Sequence, residues 1–130
     1  MARLTDEQAK LFSTGNYGVV ATLRADGTPQ LTTVWVDYDG EDVLVNTNTE
    51  RKKTRNLEHD PRATVLVHDG DDRYKWVSVS GPVELTTEGA EEHIHKLSRR
   101  YRGRDYDLRP GEQRVIARIK PERVTAYNVE

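Results

Sequence analysis

Short apolar runs separated by Gly-containing turns are the feature that most constrains the fold of this chain. Two runs, Tyr17–Arg24 and Thr28–Tyr38, flank Asp26-Gly27, a dipeptide typical of hairpin turns. A third run, Val43–Asn48, follows a second turn at Asp39-Gly40. The first half of the chain is therefore predicted to be an antiparallel meander rather than a parallel α/β arrangement.

The second half of the chain adds further predicted strands: Ala63–His68, Tyr74–Leu85, Val115–Ile119 and Arg123–Asn128. Gly81-Pro82 interrupts the longest of them and indicates a bulge or an edge position, because proline cannot donate to a neighbouring strand. With six or seven strands and no repeat, the chain is predicted to be mainly β and to close into a sandwich or a barrel.

Three helices are predicted around these strands: Thr5–Phe12, Glu50–His59, and a longer one from an N-cap at Thr87 to Tyr101. Thr5 and Gln8 have the spacing of a capping box. Asp60-Pro61 ends the second helix, because the residue before a proline disfavours the α conformation. Gly103 supplies a left-handed stop for the third. The helices are expected at the periphery of the strands.

The length of 130 residues fits a single domain, residues 1–130, with one core. A β-barrel of this size fills its interior with its own side chains. A large ligand is therefore expected outside the barrel, in a groove or between subunits.

The composition excludes several classes of function. The sequence contains no cysteine, which excludes disulfides and thiolate metal sites and favours a reducing, cytoplasmic location. Its formal net charge is −2, without the basic surplus of typical nucleic-acid-binding domains. No apolar run has the length needed to cross a bilayer. We therefore expect no nucleic-acid or membrane partner, and any anion site must be local.

The second predicted helix begins with three cations: Arg51, Lys52 and Lys53. The helix macrodipole makes each of these charges unfavourable by roughly 0.3–1 kcal/mol, whereas an anion bound there is favoured. Arg55 shares a helix face with Arg51 and could reach a further phosphate or carboxylate. The alternative is a solvated surface helix with Glu50 and Glu58 as salt-bridge partners. On the residues alone, both interpretations stay open.

Trp35 and Thr33 alternate with two valines along one predicted strand. With Asn46 and Thr47 nearby, an outward Trp35 could form a platform for a planar ring. The alternative is a Trp buried under a helix or in a dimer seam, and it applies equally to Trp76.

No catalytic or metal-ligating group is predicted. The serines lack a Gly-x-Ser-x-Gly elbow. His93 and His95 are two apart on a predicted helix and point in different directions, so we expect them to face solvent. The acidic segment at residues 69–72 lacks the calcium-loop pattern and is predicted to be a turn. If the chain is an enzyme, a cofactor should carry the reaction.

Three segments, taken in order, resemble one family: Ala21-Thr22-Leu23 with Asp26-Gly27 and Pro29-Gln30, then Thr33–Val36, then Lys53-Thr54-Arg55-Asn56-Leu57 with Asp60-Pro61-Arg62. Their order and spacing resemble the pyridoxamine 5′-phosphate oxidase-like split-barrel flavoproteins over nearly the whole chain. Within that family the chain is most similar to short actinobacterial members that use the deazaflavin coenzyme F-420. The resemblance implies a six- to seven-stranded antiparallel split β-barrel of the FMN-binding type.

The resemblance also implies a cofactor site. Two strand segments would line the flavin-type ring, and in this sequence they correspond to Thr32, Thr33, Val34, Trp35, Asn46 and Thr47. The basic turn would bind the phosphate, and it corresponds to Arg51, Lys52 and Lys53. Lys53 takes the position of the family's phosphate-turn lysine. Lys75 and Trp76 match a strand that approaches the cofactor from the second subunit of a homodimer.

The activity implied by the resemblance is hydride transfer between coenzyme F-420 and a small unsaturated substrate, such as a conjugated carbonyl compound, a quinone or a tetrapyrrole. Protein groups would orient the ring and exclude water, and we assign no catalytic acid. An FMN-dependent oxidoreductase of the same fold and a non-catalytic cofactor carrier are the alternatives.

Overall fold

The computed structural model describes residues 2–130 and contains three helices and seven strands. In chain order they are α1 (Asp6–Ser13), β1 (Tyr17–Leu23), β2 (Pro29–Tyr38), β3 (Val43–Asn48), α2 (Lys52–His59), β4 (Arg62–His68), β5 (Trp76–Thr86), α3 (Ala90–Arg102), β6 (Arg114–Ile119) and β7 (Arg123–Tyr127). Every helix and strand predicted from the sequence is present. No helix within residues 2–130 is long and apolar enough to span a membrane.

Six of the strands close into an antiparallel barrel. β1 pairs with β2 and β4, β3 joins β2 to β6, and β5 joins β6 to β4. β7 lies outside this ring and pairs with the first half of β5. The prediction of a mainly β fold with peripheral helices is confirmed, and of the two predicted shapes the barrel is correct.

Valine side chains fill the barrel interior. Val20, Val36, Val65 and Val79 come from four different strands, and none is more than 3% exposed. Because side chains alternate along a strand, the residues between these valines lie on the outer surface of the barrel. Because these side chains fill the interior, a large ligand can bind only on the outside of the barrel.

β5 changes partner at Gly81, where the sequence predicted a bulge or an edge. It pairs with β7 up to Ser80 and with β6 from Val83 onward. The two residues between these positions face three residues of the β6–β7 connection, which is the extra residue of a bulge. A Cβ on Gly81 would lie 1.8 Å from the carbonyl oxygen of Lys120, so only glycine permits this close approach.

α1 and α2 pack on the barrel in the predicted places. Thr5 Oγ1 accepts from Gln8 N–H at 3.2 Å and the Gln8 side chain accepts from Thr5 N–H at 3.0 Å, which confirms the capping box. Phe12 of α1 is fully buried in the core. In α2 the Asn56 amide donates to Thr22 Oγ1 of β1 at 3.0 Å, so this helix is tied to the barrel by a buried polar contact.

α3 begins later than the sequence predicted. The N-cap predicted at Thr87 is wrong, because the cap residue is Gly89, with φ of 75°. The Thr87 carbonyl instead accepts from Ala90 N–H in the preceding turn. This turn needs a positive φ, which glycine adopts at little cost, and that need outweighs the side-chain cap that a threonine offers. The left-handed stop predicted at Gly103 is confirmed, with φ of 76°.

Candidate functional site

A pocket of about 260 Å³ lies on the outside of the barrel, between β2, α3 and the start of α2. Its lining residues are Tyr17, Thr33, Val34, Trp35, Asn46, Arg51, Lys53, Ile94, Leu97, Arg102, Tyr106 and Arg114. Four of these are Lys or Arg, and none is Asp or Glu. The pocket therefore carries an excess of positive charge in a protein whose net charge is −2.

Lys53 is buried in this pocket without an opposite charge. It lies in the first turn of α2 and is only 8% exposed. Burial lowers the pKa of Lys53, and the charges of Arg51 and Arg114 lower it further. No carboxylate within residues 2–130 forms an ion pair with the Lys53 ammonium. A buried cation in this situation is stabilised by an anion from outside the chain.

The N-terminus of α2 adds to the positive potential. Its first turn contains no acidic residue, and the N-cap, Arg51, makes no side-chain cap hydrogen bond. The predicted crowding of cations at this helix start is confirmed. Neither Glu50 nor Glu58 forms an ion pair with another residue in the described chain, so the alternative of a salt-bridged surface helix is not supported. Helix dipole and side chains thus favour an anion at the same place.

Arg114, the first residue of β6, is held rigidly beside Lys53. Its Nε donates to Asn46 Oδ1 at 2.9 Å and its Nη1 donates to Glu112 Oε2 at 2.6 Å. The guanidinium lies 4.9 Å from the centre of the Tyr106 ring. Arg114 is 4% exposed, and no hydrogen bond within residues 2–130 uses its Nη2. Nη2 of the guanidinium is therefore left to donate to a ligand in the pocket.

Glu112 is the carboxylate that fixes Arg114, although it does not line the pocket. Burial alone would raise the pKa of Glu112. Hydrogen bonds from the Asn48 amide, the Arg109 N–H and Arg114 outweigh that effect and lower the pKa to about 2. Glu112 therefore stays ionised at neutral pH and neutralises part of the Arg114 charge without reaching the Lys53 ammonium.

Trp35 forms the aromatic wall of the pocket. Its ring stacks on Tyr101, with centroids 5.3 Å apart and planes 9° from parallel, and it meets Tyr106 edge-on at 6.4 Å. The Arg102 guanidinium lies 5.8 Å from the ring centre. Tyr101 thus covers one face of the indole, so Trp35 is packed under α3 and only part of it borders the pocket. This agrees more closely with the interpretation of a Trp under a helix than with an open platform.

His93 and His95 do not face solvent as predicted, and His93 is only 8% exposed. Its Nε2 lies 3.0 Å from Asp37 Oδ2, and its Nδ1 lies 3.0 Å from Asn46 Nδ2. His95 is half-buried, and its Nδ1 accepts from Tyr106 N–H at 3.1 Å. The two imidazoles do point in different directions, but protein covers both, because the sheet lies on one side of α3 and the following loop on the other.

The structure brings part of the predicted site together: Thr33, Val34, Trp35, Asn46, Arg51 and Lys53 all line the pocket. Thr32 lies on the inner face of β2, where its buried hydroxyl has no hydrogen-bond partner among residues 2–130. Thr47 is buried and accepts from Thr54 Oγ1 at 3.2 Å. Lys52 and Arg55 are exposed on α2 and do not line the pocket.

Lys75 and Trp76 lie far from the pocket of their own chain. Three strand spacings separate Trp76 from Trp35, a path of roughly 14 Å around the barrel wall. Trp76 instead stacks on Tyr127, with centroids 6.2 Å apart. β5 begins at Trp76, not at Tyr74 as predicted, so Lys75 lies in the exposed turn before the strand. These two residues therefore do not take part in the pocket within one chain.

Half of the residues that line the pocket were not predicted from the sequence: Tyr17, Ile94, Leu97, Arg102, Tyr106 and Arg114. Ile94 and Leu97 have helical spacing, which marks the inner face of α3 but not the surface that α3 covers. Tyr106 is a lone aromatic residue in a polar loop and was a detectable signal. Arg114 begins an apolar strand, and nothing in the local pattern shows that it turns towards α2.

Comparison with known proteins identifies relatives along almost the whole chain. A family model described as "Pyridoxamine 5′-phosphate oxidase" matches residues 4–128. The chain is 25% identical over 122 residues to the "F420H(2)-dependent biliverdin reductase" of Mycobacterium tuberculosis (strain CDC 1551 / Oshkosh), and the match covers 94% of this chain and 87% of that protein.

Solved structures show the same barrel. A structure described as "F420 Reductase" superposes with a TM-score of 0.82 at 30% identity, covering 94% of this chain and 98% of the other. A conserved hypothetical protein from Mycobacterium tuberculosis superposes with a TM-score of 0.74 at 28% identity, covering 96% and 86% of the two chains. The family match and these superpositions show that the chain belongs to the pyridoxamine 5′-phosphate oxidase family, with a split-barrel fold.

Proposed function

We propose that this protein is an oxidoreductase that uses coenzyme F-420 to transfer a hydride to or from a small unsaturated substrate. The observation that carries the proposal is the buried Lys53 ammonium, which shares a carboxylate-free pocket with Arg51 and Arg114. The names of two relatives, an F420H(2)-dependent biliverdin reductase and an F420 reductase, support the choice of a deazaflavin over other phosphate-bearing cofactors.

The residues present fit such a cofactor in three respects. The cations at the start of α2 suit a phosphate group, which a helix N-terminus also favours. Trp35 and Tyr106 offer aromatic edges to a planar ring, and Thr33 offers a hydroxyl beside them. Arg102 is a further pocket cation without a carboxylate partner in the described chain, which suits the glutamate carboxylates of the F-420 tail.

The roles of the protein groups follow from their positions. When bound, the deazaflavin supplies or accepts the hydride. Lys53 and Arg51 would bind the phosphate by charge-assisted hydrogen bonds, and Arg114 would add a third, rigid donor. The apolar side chains of Ile94 and Leu97 exclude water from one wall of the pocket, which strengthens these interactions. We assign no catalytic acid.

An FMN-dependent enzyme and a non-catalytic carrier are the competing interpretations, and one experiment separates all three. The purified protein is titrated with F-420 and with FMN, following fluorescence quenching at two salt concentrations. We expect F-420 to bind more tightly than FMN and its affinity to fall more steeply with salt, because F-420 carries more negative charges that can pair with the pocket cations. Equal or reversed preference supports FMN. Binding of F-420 without reduction of a quinone, a conjugated carbonyl or a tetrapyrrole acceptor supports the carrier.

We include in the proposal a homodimer with the cofactor at the subunit interface. The outer surface of β1, β2, β4, β5 and β7 carries exposed apolar residues: Leu31 is 65%, Leu66 39% and Tyr127 53% exposed. Strand register places them in adjacent rows of one continuous face. Exposed apolar surface of this kind is typical of protein interfaces.

This outward face borders the pocket, which supports the position of the cofactor in the dimer. Thr33 and Trp35 line the pocket and lie on the same side of β2 as Leu31. A second copy seated on the face would therefore lie beside the pocket opening. Trp76 and Lys75 do not line the pocket of their own chain, and in such a dimer they could contact the pocket of the partner subunit.

A further inference from the structure

A buried carboxylate lies behind the pocket, and three side chains of α3 converge on it. Asp37 of β2 is 1% exposed. His93 Nε2 lies 3.0 Å and Lys96 Nζ 3.1 Å from its Oδ2. Arg100 Nη1 lies 3.0 Å from its Oδ1 as an ion pair. Burial alone would raise the pKa of Asp37, but these three partners outweigh it and lower the pKa well below its ordinary value. Asp37 is therefore a fixed negative charge.

The contacts of Asn46 determine which nitrogen of His93 carries the proton. Asn46 Nδ2 donates to the Ala90 carbonyl at 2.9 Å, and its Oδ1 accepts from Arg114 Nε at 2.9 Å, so the amide has only one consistent orientation. Its Nδ2 then faces His93 Nδ1 at 3.0 Å as a donor, and Nδ1 must accept. The proton of a neutral His93 lies on Nε2, which donates to Asp37.

The hydrogen bonds that run from Asp37 through His93 and Asn46 to Arg114 start outside the pocket and end in its lining. Asp37 and His93 do not line the pocket, whereas Asn46 and Arg114 do. We propose that Asp37 and His93 are positioning residues, which fix the Asn46 amide so that Arg114 keeps its Nη2 free for the bound anion. The inference rests on the proposed function only for the identity of that anion, since the contacts themselves lie within the chain.

A merely structural role for the same contacts makes a different prediction. If His93 only anchors α3 to the sheet, any substitution should weaken folding, and anion affinity should fall in proportion. If His93 positions Asn46, affinity should depend on which of its two hydrogen bonds is kept. The two ring nitrogens make separate contacts, so the two roles can be tested separately.

The matched pair of variants is His93→Asn and His93→Gln. The Asn side chain places its amide near the position of Nδ1 and can still accept from Asn46 Nδ2. The longer Gln side chain places its amide near Nε2 and can still donate to Asp37. It leaves one N–H of Asn46 Nδ2 without an acceptor, while the other still donates to the Ala90 carbonyl. Inorganic phosphate is the probe, titrated into each protein and followed by NMR shifts of the Lys53 and Arg114 side chains.

We expect His93→Gln to bind phosphate about tenfold more weakly than the wild type, equivalent to one lost hydrogen-bond contact of ~1.4 kcal/mol. His93→Asn should stay within about twofold, although it also loses a contact to Asp37. In His93→Gln, the Arg114 Nε–H should exchange faster with solvent than in His93→Asn. Equal losses in the two variants, or no loss in either, would overturn the positioning role.

One measurement needs no variant. In the wild-type protein, the imidazole ¹⁵N spectrum of His93 at neutral pH should show a protonated Nε2 and an unprotonated Nδ1. The opposite tautomer or a doubly protonated ring overturns the inference, even if a variant fails to fold. If the wild type binds phosphate but not F-420, the proposed function fails and this inference stands. If it binds neither, no anion uses Arg114, and both the proposed function and this inference fail.

Discussion

The Lys53 ammonium and the Arg114 guanidinium line one pocket whose lining contains no carboxylate, and Arg114 helps to lower the pKa of Lys53. Glu112 holds Arg114 from outside the pocket. Lys53 and Arg114 come from the start of α2 and the start of β6, so the barrel closure, not local sequence, brings them together. Their repulsion makes the ligand-free protein less stable. The same arrangement attracts an anion placed between them.

Lys53→Met should weaken F-420 binding by about one to two powers of ten, because a charge-assisted hydrogen bond contributes roughly 1.5–3 kcal/mol. Methionine keeps the apolar stem and removes only the charge. The ligand-free protein should melt at the same or a slightly higher temperature, since a buried cation is removed from the unfavourable end of a helix dipole. Fluorescence titration and thermal melts measure both effects.

Lys52→Met is the matched control. Lys52 is exposed and does not line the pocket, so its loss should change affinity much less than that of Lys53. Normal F-420 binding by Lys53→Met together with a lower melting temperature would show that this lysine is structural and that the phosphate assignment is wrong.

Lys53 should also make stability depend on alkaline pH. Its pKa is lowered in the folded protein from an ordinary value near 10.5, so the unfolded chain binds more protons between the two values. Stability therefore rises with pH through this window, as the buried ammonium loses its charge. The free energy of unfolding of Lys53→Met should exceed that of the wild type below the window, and the difference should shrink towards pH 10.5. Denaturant titrations at several pH values test this.

The strands and the basic helix start could be predicted from the sequence because their signals are local. Asp26-Gly27 and the alternation around Val34 and Val36 specify a hairpin without any information from distant residues. The crowding of cations at residues 51–53 is likewise visible in the local sequence, and the helix dipole makes it compatible with an anion site, with a solvated surface helix as the alternative. These features survive in the structure because tertiary packing agrees with the local preferences.

The rest of the pocket could not be predicted, because it depends on where α3 docks. His93 looks like a solvent-facing residue until Asp37 is known to lie under α3. For Trp35 the sequence leaves an open platform and a Trp under a helix as alternatives, and only the position of Tyr101 on its ring decides between them. In both cases the missing information is a contact between residues far apart in sequence, and no periodicity within one element contains it.

Glu112→Gln should loosen Arg114 and reduce stability by roughly 1–2 kcal/mol at neutral pH, a value that allows for partial solvent screening. The carboxylate has a pKa of about 2 in the folded protein against an ordinary value of 4.5. Its stabilising effect is complete above pH 4.5 and is lost as the pH falls towards 2. The stability gap between wild type and variant should therefore close over that range.

Denaturant titrations from neutral to acidic pH measure this gap, and Glu122→Gln supplies the comparison. Glu122 is an exposed acid in the β6–β7 connection without an ion pair in residues 2–130, so its loss should leave stability nearly unchanged. A Glu112→Gln gap that persists unchanged at the acid end would show that its carboxylate charge is not what holds Arg114.

A dimer in which Trp76 reaches the partner's pocket predicts complementation between two defective chains. Lys53→Met damages the pocket of its own chain, whereas Trp76→Ala should damage only that of the partner, because Trp76 lies three strand spacings around the barrel wall from Trp35 of its own chain. When the two variants are unfolded together in equal amounts and refolded, each mixed dimer should contain one intact site and one doubly defective site. Since about half of randomly formed dimers are mixed, about one site in four should bind F-420 with wild-type affinity.

Each variant refolded alone should show no tight sites, and a mixture of the two without unfolding should show none until subunits exchange. Leu31→Glu, which puts a charge on the outward apolar face, should shift sedimentation towards the monomer, while Lys10→Glu on α1 should not. If the refolded mixture binds no better than its components while sedimentation confirms mixed dimers, Trp76 does not act across the interface. If the wild type sediments as a monomer and still binds F-420 at full strength, the pocket is complete in one chain and the dimer proposal is wrong.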